Sequence, residues 1–151
     1  MLNPHFRDIL SAFTDAKVEF LLVGAHALAA HGLVRATSDI DLWVHRTPEN
    51  AARVQQALLR FGAPREQVKL EDFLEPRMVV QLGVPPFRVD IMTDISGVEW
   101  NDAWEQRIAT DLDGIQISVL SRTHVLANKR ASNRPKDQED VRLLEEPPSR
   151  P

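Results

Sequence analysis

Residues 20–44 read Phe20-Leu21-Leu22-Val23-Gly24-Ala25-His26-Ala27-Leu28-Ala29-Ala30-His31-Gly32-Leu33-Val34-Arg35-Ala36-Thr37-Ser38-Asp39-Ile40-Asp41-Leu42-Trp43-Val44. The apolar run from Glu19 to Val23, closed by Gly24, predicts a short buried strand. Ala25 to His31 is rich in alanine, which loses no side-chain entropy in a helix, so a helix is expected there with Gly32 as its stop. Ser38 to Val44 then alternates polar and apolar side chains with the period of a strand. Asp39 and Asp41, two apart on that strand, project from one face with their backbones about 7 Å apart.

Two carboxylates converging beside Ile40, Leu42, Trp43 and Val44 repel each other and lose solvation. A divalent cation or a raised pKa resolves that conflict. An oxygen-only donor set suits magnesium or manganese. The competing reading is a polar turn that merely enters a strand, where aspartate is common. Asp90 adds weight to the first. It sits in the middle of Phe87-Arg88-Val89-Asp90-Ile91-Met92, a strand interior that disfavours aspartate. A carboxylate there needs a partner: either a metal shared with Asp39 and Asp41, or an ion pair with Arg88 or Arg35. Val23-Gly24-Ala25-His26 runs from strand directly into helix. Its small residues permit close approach of an anion to free backbone N–H groups, although glycine is used in such turns for geometry alone as well.

The remaining chain alternates helices and strands. Phe6, Ile9, Leu10 and Phe13 fall at helical spacing within Pro4–Ala16. Thr47-Pro48 reads as a cap with proline at the first helical position, opening a helix to about Phe61 before Gly62. A short helix is expected over Glu66–Leu74, and strands over Met78–Leu82 and Phe87–Met92 around Gly83-Val84-Pro85-Pro86. Glu99–Ile108 is expected to be helical, and Asp113-Gly114 to turn Ala109–Leu112 onto Ile115–Val119. Two helices, Ser121–Ala131 and Pro135–Glu145, finish the domain, broken at Arg134 because it precedes proline. The expectation is an α/β domain over residues 1–146 with a mixed sheet flanked by helices, and a fraying proline-rich tail at 147–151.

The 151 residues suit one hydrophobic core, with 43% hydrophobic and 26% charged residues. The absence of cysteine excludes disulfides, thiolate metal sites and thiol nucleophiles. A net charge of −4 makes any nucleic-acid binding local, and Arg122–Lys136 holds most candidates for a basic patch. No apolar run reaches membrane-spanning length, and Met1-Leu2-Asn3-Pro4-His5 is not a signal peptide, so a cytoplasmic location is expected.

The whole 20–44 stretch resembles the opening motif of bacterial nucleotidyltransferases of the DNA polymerase β superfamily. In particular it is similar to the minimal group related to abortive-infection type IV toxins. The resemblance continues through Gln81-Leu82-Gly83-Val84-Pro85-Pro86-Phe87-Arg88-Val89-Asp90-Ile91. It reaches Asn128-Lys129-Arg130-Ala131-Ser132-Asn133-Arg134-Pro135-Lys136-Asp137-Gln138-Glu139-Asp140-Val141, a lysine followed by a K-D-x-x-D element. It implies the nucleotidyltransferase fold. It also implies a nucleoside triphosphate lying against Gly24 and Ala25, with His26 a further donor, and Mg2+ or Mn2+ held by Asp39, Asp41 and Asp90. Asp90 would help activate the attacking hydroxyl. Lys129 and Lys136 would approach phosphate oxygens, while Asp137 and Asp140 would anchor their helix or face the acceptor. The family more often has glycine-glycine or glycine-serine where this chain has Gly24-Ala25, and alanine offers phosphate no hydroxyl.

The activity so implied is transfer of a nucleoside monophosphate to an acceptor hydroxyl on RNA, on protein or on a small molecule of the antibiotic type. A role as the toxin of a toxin–antitoxin or phage-defence pair follows from the same resemblance, with an antitoxin or a second copy of the chain as partner. The alternative is a catalytically weak domain that binds nucleotide or a partner protein. Among other residues, Trp43 shares the strand face of Asp39 and Asp41 and is expected to pack in the core rather than wall a base pocket. Trp100 and Trp104 read as the apolar side of a helix. His26 and His31, five apart, do not share a helix face; His31 is expected to cap or pack, and His124 to be a surface or capping residue rather than a general base. Arg35 and Thr37 precede the carboxylates and either orient them or close the loop.

Overall fold

The deciding stretch folds as strand, helix and strand, and the rest of the sheet is built outward from it. The structure, a computed structural model, describes residues 2–146; the expected tail at 147–151 lies outside them. Helix α1 (Pro4–Asp15) leads into β1 (Phe20–Val23), α2 (Gly24–Ala30) and β2 (Asp39–Val44). Next come α3 (Pro48–Phe61), β3 (Val79–Leu82), β4 (Arg88–Met92) and α4 (Trp100–Glu105). The hairpin β5 (Ile108–Leu112) and β6 (Ile115–Val119) precedes α5 (Arg122–Ser132) and α6 (Pro135–Glu145). The strands form one sheet in the order β3-β4-β2-β1-β6-β5. β2 pairs parallel with β4, and β1 with β6; the other neighbours are antiparallel, so the sheet is mixed as expected.

The pairing register assigns side chains to two faces. Phe20, Leu22, Ile40, Leu42, Val44, Val89 and Ile91 share one face and are buried. Helix α1 packs there, with Phe13 edge-on to Phe20 at 5.3 Å, and α3 packs beside α1. The other face carries Asp39, Asp41 and Trp43 beside Arg88, Asp90 and Met92. Helix α4 meets it through Trp100, whose ring stands edge-on to Trp43 at 5.0 Å. Thus β1 is apolar on both faces, whereas β2 and β4 bury one apolar face in the core and carry Asp39, Asp41, Arg88 and Asp90 on the other.

Local chemistry sets the helix ends. The Asn3 side chain accepts from the His5 N–H ahead of Pro4, and Thr47 accepts from the Asn50 N–H ahead of Pro48. Gly62 and Asn133 end α3 and α5 in the left-handed conformation at φ 108° and 51°. Buried Asn50 locks α3 to the sheet. Its amide donates to the carbonyls of Glu19 (3.0 Å) and His45 (2.8 Å), and its oxygen accepts the Glu19 N–H at 2.7 Å.

Two expectations need correcting. Residues 66–74 do not form one helix but two 3-10 turns, Arg65–Gln67 and Leu70–Phe73. Val68 between them leaves helical geometry so that it and Phe73 both reach the core, and Gln55 donates to its carbonyl at 3.0 Å. The helix expected over 99–108 stops at Glu105. Ile108 instead opens β5 opposite Val119, because cross-strand pairing satisfies its backbone where the helix has frayed.

Candidate active site

Parallel pairing of β2 with β4 sets Asp41 beside Asp90 and Asp39 beside Arg88. The three carboxylates thereby converge: one oxygen from each lies within 4.8 Å of the others. Asp90 is buried, whereas Asp39 and Asp41 are half-buried. Arg88 threads the cluster. Its Nη2 donates to Asp39 Oδ2 at 2.6 Å and to Asp90 Oδ2 at 3.2 Å. Its Nε lies 3.1 Å from Asp90 Oδ1 but is poorly aligned, so both atoms are buried without a hydrogen-bond partner. The ion pair between Asp90 and Arg88 therefore coexists with the cluster, and Arg35 turns elsewhere. The Thr37 hydroxyl sits against Asp39, 3.1 Å from Oδ1 and 3.0 Å from its carbonyl.

Burial is the main cause that pushes the Asp41 carboxyl up to about 7, followed by the neighbouring charges of Asp39 and Asp90 and a hydrogen bond shared with Asp90. Arg88 offsets only part of that. A site that raises a carboxyl so far, leaves a buried carboxylate oxygen unpaired and offers oxygen donors alone is chemically suited to a hard divalent cation.

Gly24 shows why the strand-to-helix turn takes this form. Its φ of +70° is one that other residues avoid, and a Cβ built there would fall 2.0 Å from Asp41 Oδ2. Only glycine lets the turn pass this close to the carboxylate. Ala25 and His26 follow in the first turn of α2, both half-buried. His26 stands edge-on to Phe6 at 5.7 Å, and its Nδ1 is buried with no partner. Burial lowers its pKa, with Asp39 opposing, so it is a neutral imidazole at neutral pH.

A cavity of about 650 Å³ opens beside Asp41. Val23 and Gly24 form one wall; Asn128, Lys129, Ser132 and Arg134 form another; Arg77, Val79, Met92 and Asp94–Ser96 close the remainder. Lys129, on α5, lies 3.3 Å from Asp137 Oδ1 and 3.2 Å from Asp140 Oδ2. Both aspartates are fully buried, and they tether Lys129 and hold α6 to α5. Arg134 donates through Nε to Asp137 Oδ2 at 2.8 Å, and Arg35 pairs with Asp140. Burial raises the Asp137 carboxyl, but hydrogen bonds from Arg134 and the nearby Lys129 outweigh it and the pKa is lowered.

Lys136 is exposed on α6 and does not line this cavity; Arg134 and Arg77 are the cations that do so together with Lys129. Neither arginine was singled out from sequence. Arg134 lies in the Arg122–Lys136 stretch read as a basic patch and before Pro135 but had no assigned role; Arg77 carried no signal and is a left-handed residue (φ 56°) whose backbone N–H donates to Asp94 Oδ2 at 2.6 Å. Trp43 is 1% exposed and packs in the core. Trp100 and Trp104 stack at 5.3 Å, with the Arg107 guanidinium 3.9 Å above the Trp104 ring. His31 ends α2 and bonds through Nε2 to the Leu120 carbonyl (2.8 Å), and His124 lies 3.2 Å from the capping Ser121 hydroxyl.

This architecture is that of nucleotidyltransferases. It aligns with a candidate nucleotidyltransferase from Thermotoga maritima, TM1012, at a TM-score of 0.66 and 19% identity, covering 95% of this chain and 94% of that one. It also aligns with the antibiotic-resistance factor ANT(2'')-Ia at a TM-score of 0.57 and 13% identity, covering 93% of this chain and 80% of that one. At such identities the likeness concerns the fold. The chain itself belongs to the family described as "Nucleotidyl transferase of unknown function (DUF2204)", whose sequence profile matches residues 3–148. No curated protein matches it by sequence. Among the described residues no helix is long and apolar enough to cross a membrane.

Proposed function

We propose that this member of the nucleotidyl transferase family moves a nucleoside monophosphate from a nucleoside triphosphate to an acceptor hydroxyl, the hydroxyl oxygen bonding to the α-phosphorus as pyrophosphate leaves, with Mg2+ or Mn2+ held by Asp39, Asp41 and Asp90. The observation that carries this is the convergence of three carboxylates, one of which, Asp41, lines a cavity together with Gly24, Lys129 and Arg134. A divalent cation bound there would neutralise charge on the attacking and leaving oxygens. The chain's own residues supply the rest. Gly24 keeps the turn flat enough for a triphosphate to lie against Ala25, and neutral His26 offers a hydrogen bond in place of a hydroxyl at that turn. Lys129, fixed by Asp137 and Asp140, and Arg134 present positive charge toward phosphate oxygens across from Asp41. Asp90, beside Asp41 on the neighbouring strand, accepts the proton of the attacking hydroxyl.

An RNA end or a protein side chain is the acceptor in this reading. A toxin–antitoxin or phage-defence role, in the cytoplasm and with an antitoxin or second copy as partner, is its biological form. A catalytically weak, nucleotide-binding domain is the alternative, favoured by Ala25 and by the arginine already paired with two of the carboxylates.

The test is a thermal-shift and calorimetric panel of the four ribonucleoside triphosphates with and without Mg2+. Metal-dependent nucleotide binding in the native chain that is lost in Asp39→Asn and Asp41→Asn is expected, followed by label transfer from an α-labelled triphosphate to RNA or protein. Absence of any nucleotide binding with Mg2+ present sinks the enzymatic reading. Binding without transfer selects the alternative.

A further inference from the structure

Among the described residues, the hydrogen bonds and ion pairs of the Arg88 side chain all go to the carboxylate cluster, three in number. Arg88 lies beside Asp39 across the β2–β4 register and two residues before Asp90 on β4, so all three side chains project from one face. Its attachments are unequal. The bond to Asp39 Oδ2 is short, at 2.6 Å, whereas Asp90 is met at 3.2 Å and, through Nε, at 3.1 Å without alignment. The side chain is 31% exposed, although its Nε is buried against Asp90.

A cation bound to these carboxylates would draw on the same oxygen lone pairs. The three donor atoms lie within 4.8 Å of one another, and a guanidinium and a divalent ion confined to that space repel strongly. We propose that Arg88 is the resident counter-ion of the metal-free site: it holds Asp39 and Asp90 in place and releases Asp90 when a divalent cation enters. Asp39 then serves as the pivot, and the freed guanidinium swings to the rim as an added positive group facing an anionic substrate. This rests on the reading above only in requiring that a divalent cation binds the cluster. A plain structural ion pair would instead remain intact and add nothing to metal affinity when removed.

The experiment uses the whole chain. Arginine Nε–H resonances are followed by NMR while Mg2+ is added without nucleotide, with Arg88 assigned from Arg88→Lys. Mn2+ affinity is measured by electron paramagnetic resonance for the native chain, Arg88→Gln and Arg88→Lys. Expected are a large shift of the Arg88 resonance at Mg2+ saturation and Mn2+ binding at least about tenfold tighter in Arg88→Gln, from loss of a competing charge. Arg88→Lys should fall between, since one ammonium cannot fork to two carboxylates. An Arg88 resonance that does not move at Mg2+ saturation overturns the proposal and leaves the metal-dependent reading standing. So does a folded Arg88→Gln that binds Mn2+ no more tightly than the native chain. If Arg88→Gln does not fold, the resonance in the native chain and the Lys variant decide. If neither native chain nor variants bind Mn2+, both proposals fall together.

Discussion

Asp41→Asn should make the metal-free protein more stable at pH 8 while removing its response to Mg2+. The Asp41 carboxyl is pushed from its ordinary 3.8 to about 7, chiefly by burial and then by Asp39 and Asp90. Between those values the folded state binds a proton that the unfolded state does not, so stability falls as pH rises through that window. Below 3.8 the group is neutral in both states and costs nothing; above about 7 the penalty is complete. A displacement of about 3 units corresponds to a ceiling of about 4 kcal/mol. Asp41 keeps some contact with water, and the amide that replaces it must itself be accommodated. The expected gain is therefore on the order of 2 kcal/mol at pH 8. Urea unfolding in chelator at pH 4 and pH 8 measures it, since the variant's advantage should be small at the lower pH and full at the higher. Added Mg2+ should then reverse the ranking, stabilising the native chain by mass action and leaving the variant unchanged. A variant that is less stable than the native chain at pH 8 without metal would refute the reasoning, because Asp41 would then be a favourable charge.

Three further outcomes are expected. Gly24→Ala should lower the melting temperature and abolish the Mg2+-dependent shift, since the methyl meets Asp41 Oδ2 and the left-handed conformation adds about 1 kcal/mol; an unimpaired Mg2+ response would count against the close approach. Asn50→Ala should cost about 1–3 kcal/mol in urea unfolding by stranding three part-buried backbone groups, while metal binding per folded molecule is kept. Lys129→Met should cost about 3 kcal/mol at pH 7 by leaving buried Asp137 and Asp140 under-compensated. Because the Asp137 pKa is lowered in the fold, its stabilisation is present at neutral pH and lost as pH falls. The deficit of Lys129→Met should accordingly shrink below about pH 4; a deficit independent of pH would mean that packing, not charge, is what the lysine supplies.

The half of the fold nearest the carboxylates was readable because its signals are local. Asp39, Ile40, Asp41 and Leu42 declare a strand and its two faces by period alone, and Asp90 is conspicuous in an otherwise apolar run. Gly24 could be placed in a turn, but not its reason for being glycine, which is a contact with a residue 17 positions later in the chain. Arg88 was weighed only as a partner of Asp90. Its bond to Asp39 depends on β2 and β4 pairing in parallel, a relation no local pattern encodes. Arg77 and Arg134 were missed for a similar cause: each is set by the geometry of a loop, and loop cations have no period. Lys136 stood second to Lys129 in the sequence reading, and although it directly precedes buried Asp137 on α6 it is itself exposed. The split of 65–73 into two turns was hidden because Val68 and Phe73 reach the core by bending the backbone, not by helical spacing.

The tie between Arg35 and Asp140 has a consequence for shortened forms of the chain. Arg35, in the segment that enters β2, is fastened to Asp140 on the last helix, and Lys129 hangs from that aspartate and from Asp137. A nick or premature stop between α5 and α6 would spare all three clustered carboxylates and every strand of the sheet. It would nevertheless cut loose the approach to Asp39 and the cation opposite Asp41 in one event. Such a truncated chain is expected to keep its sheet while losing the two aspartates that hold Arg35 and Lys129 in place.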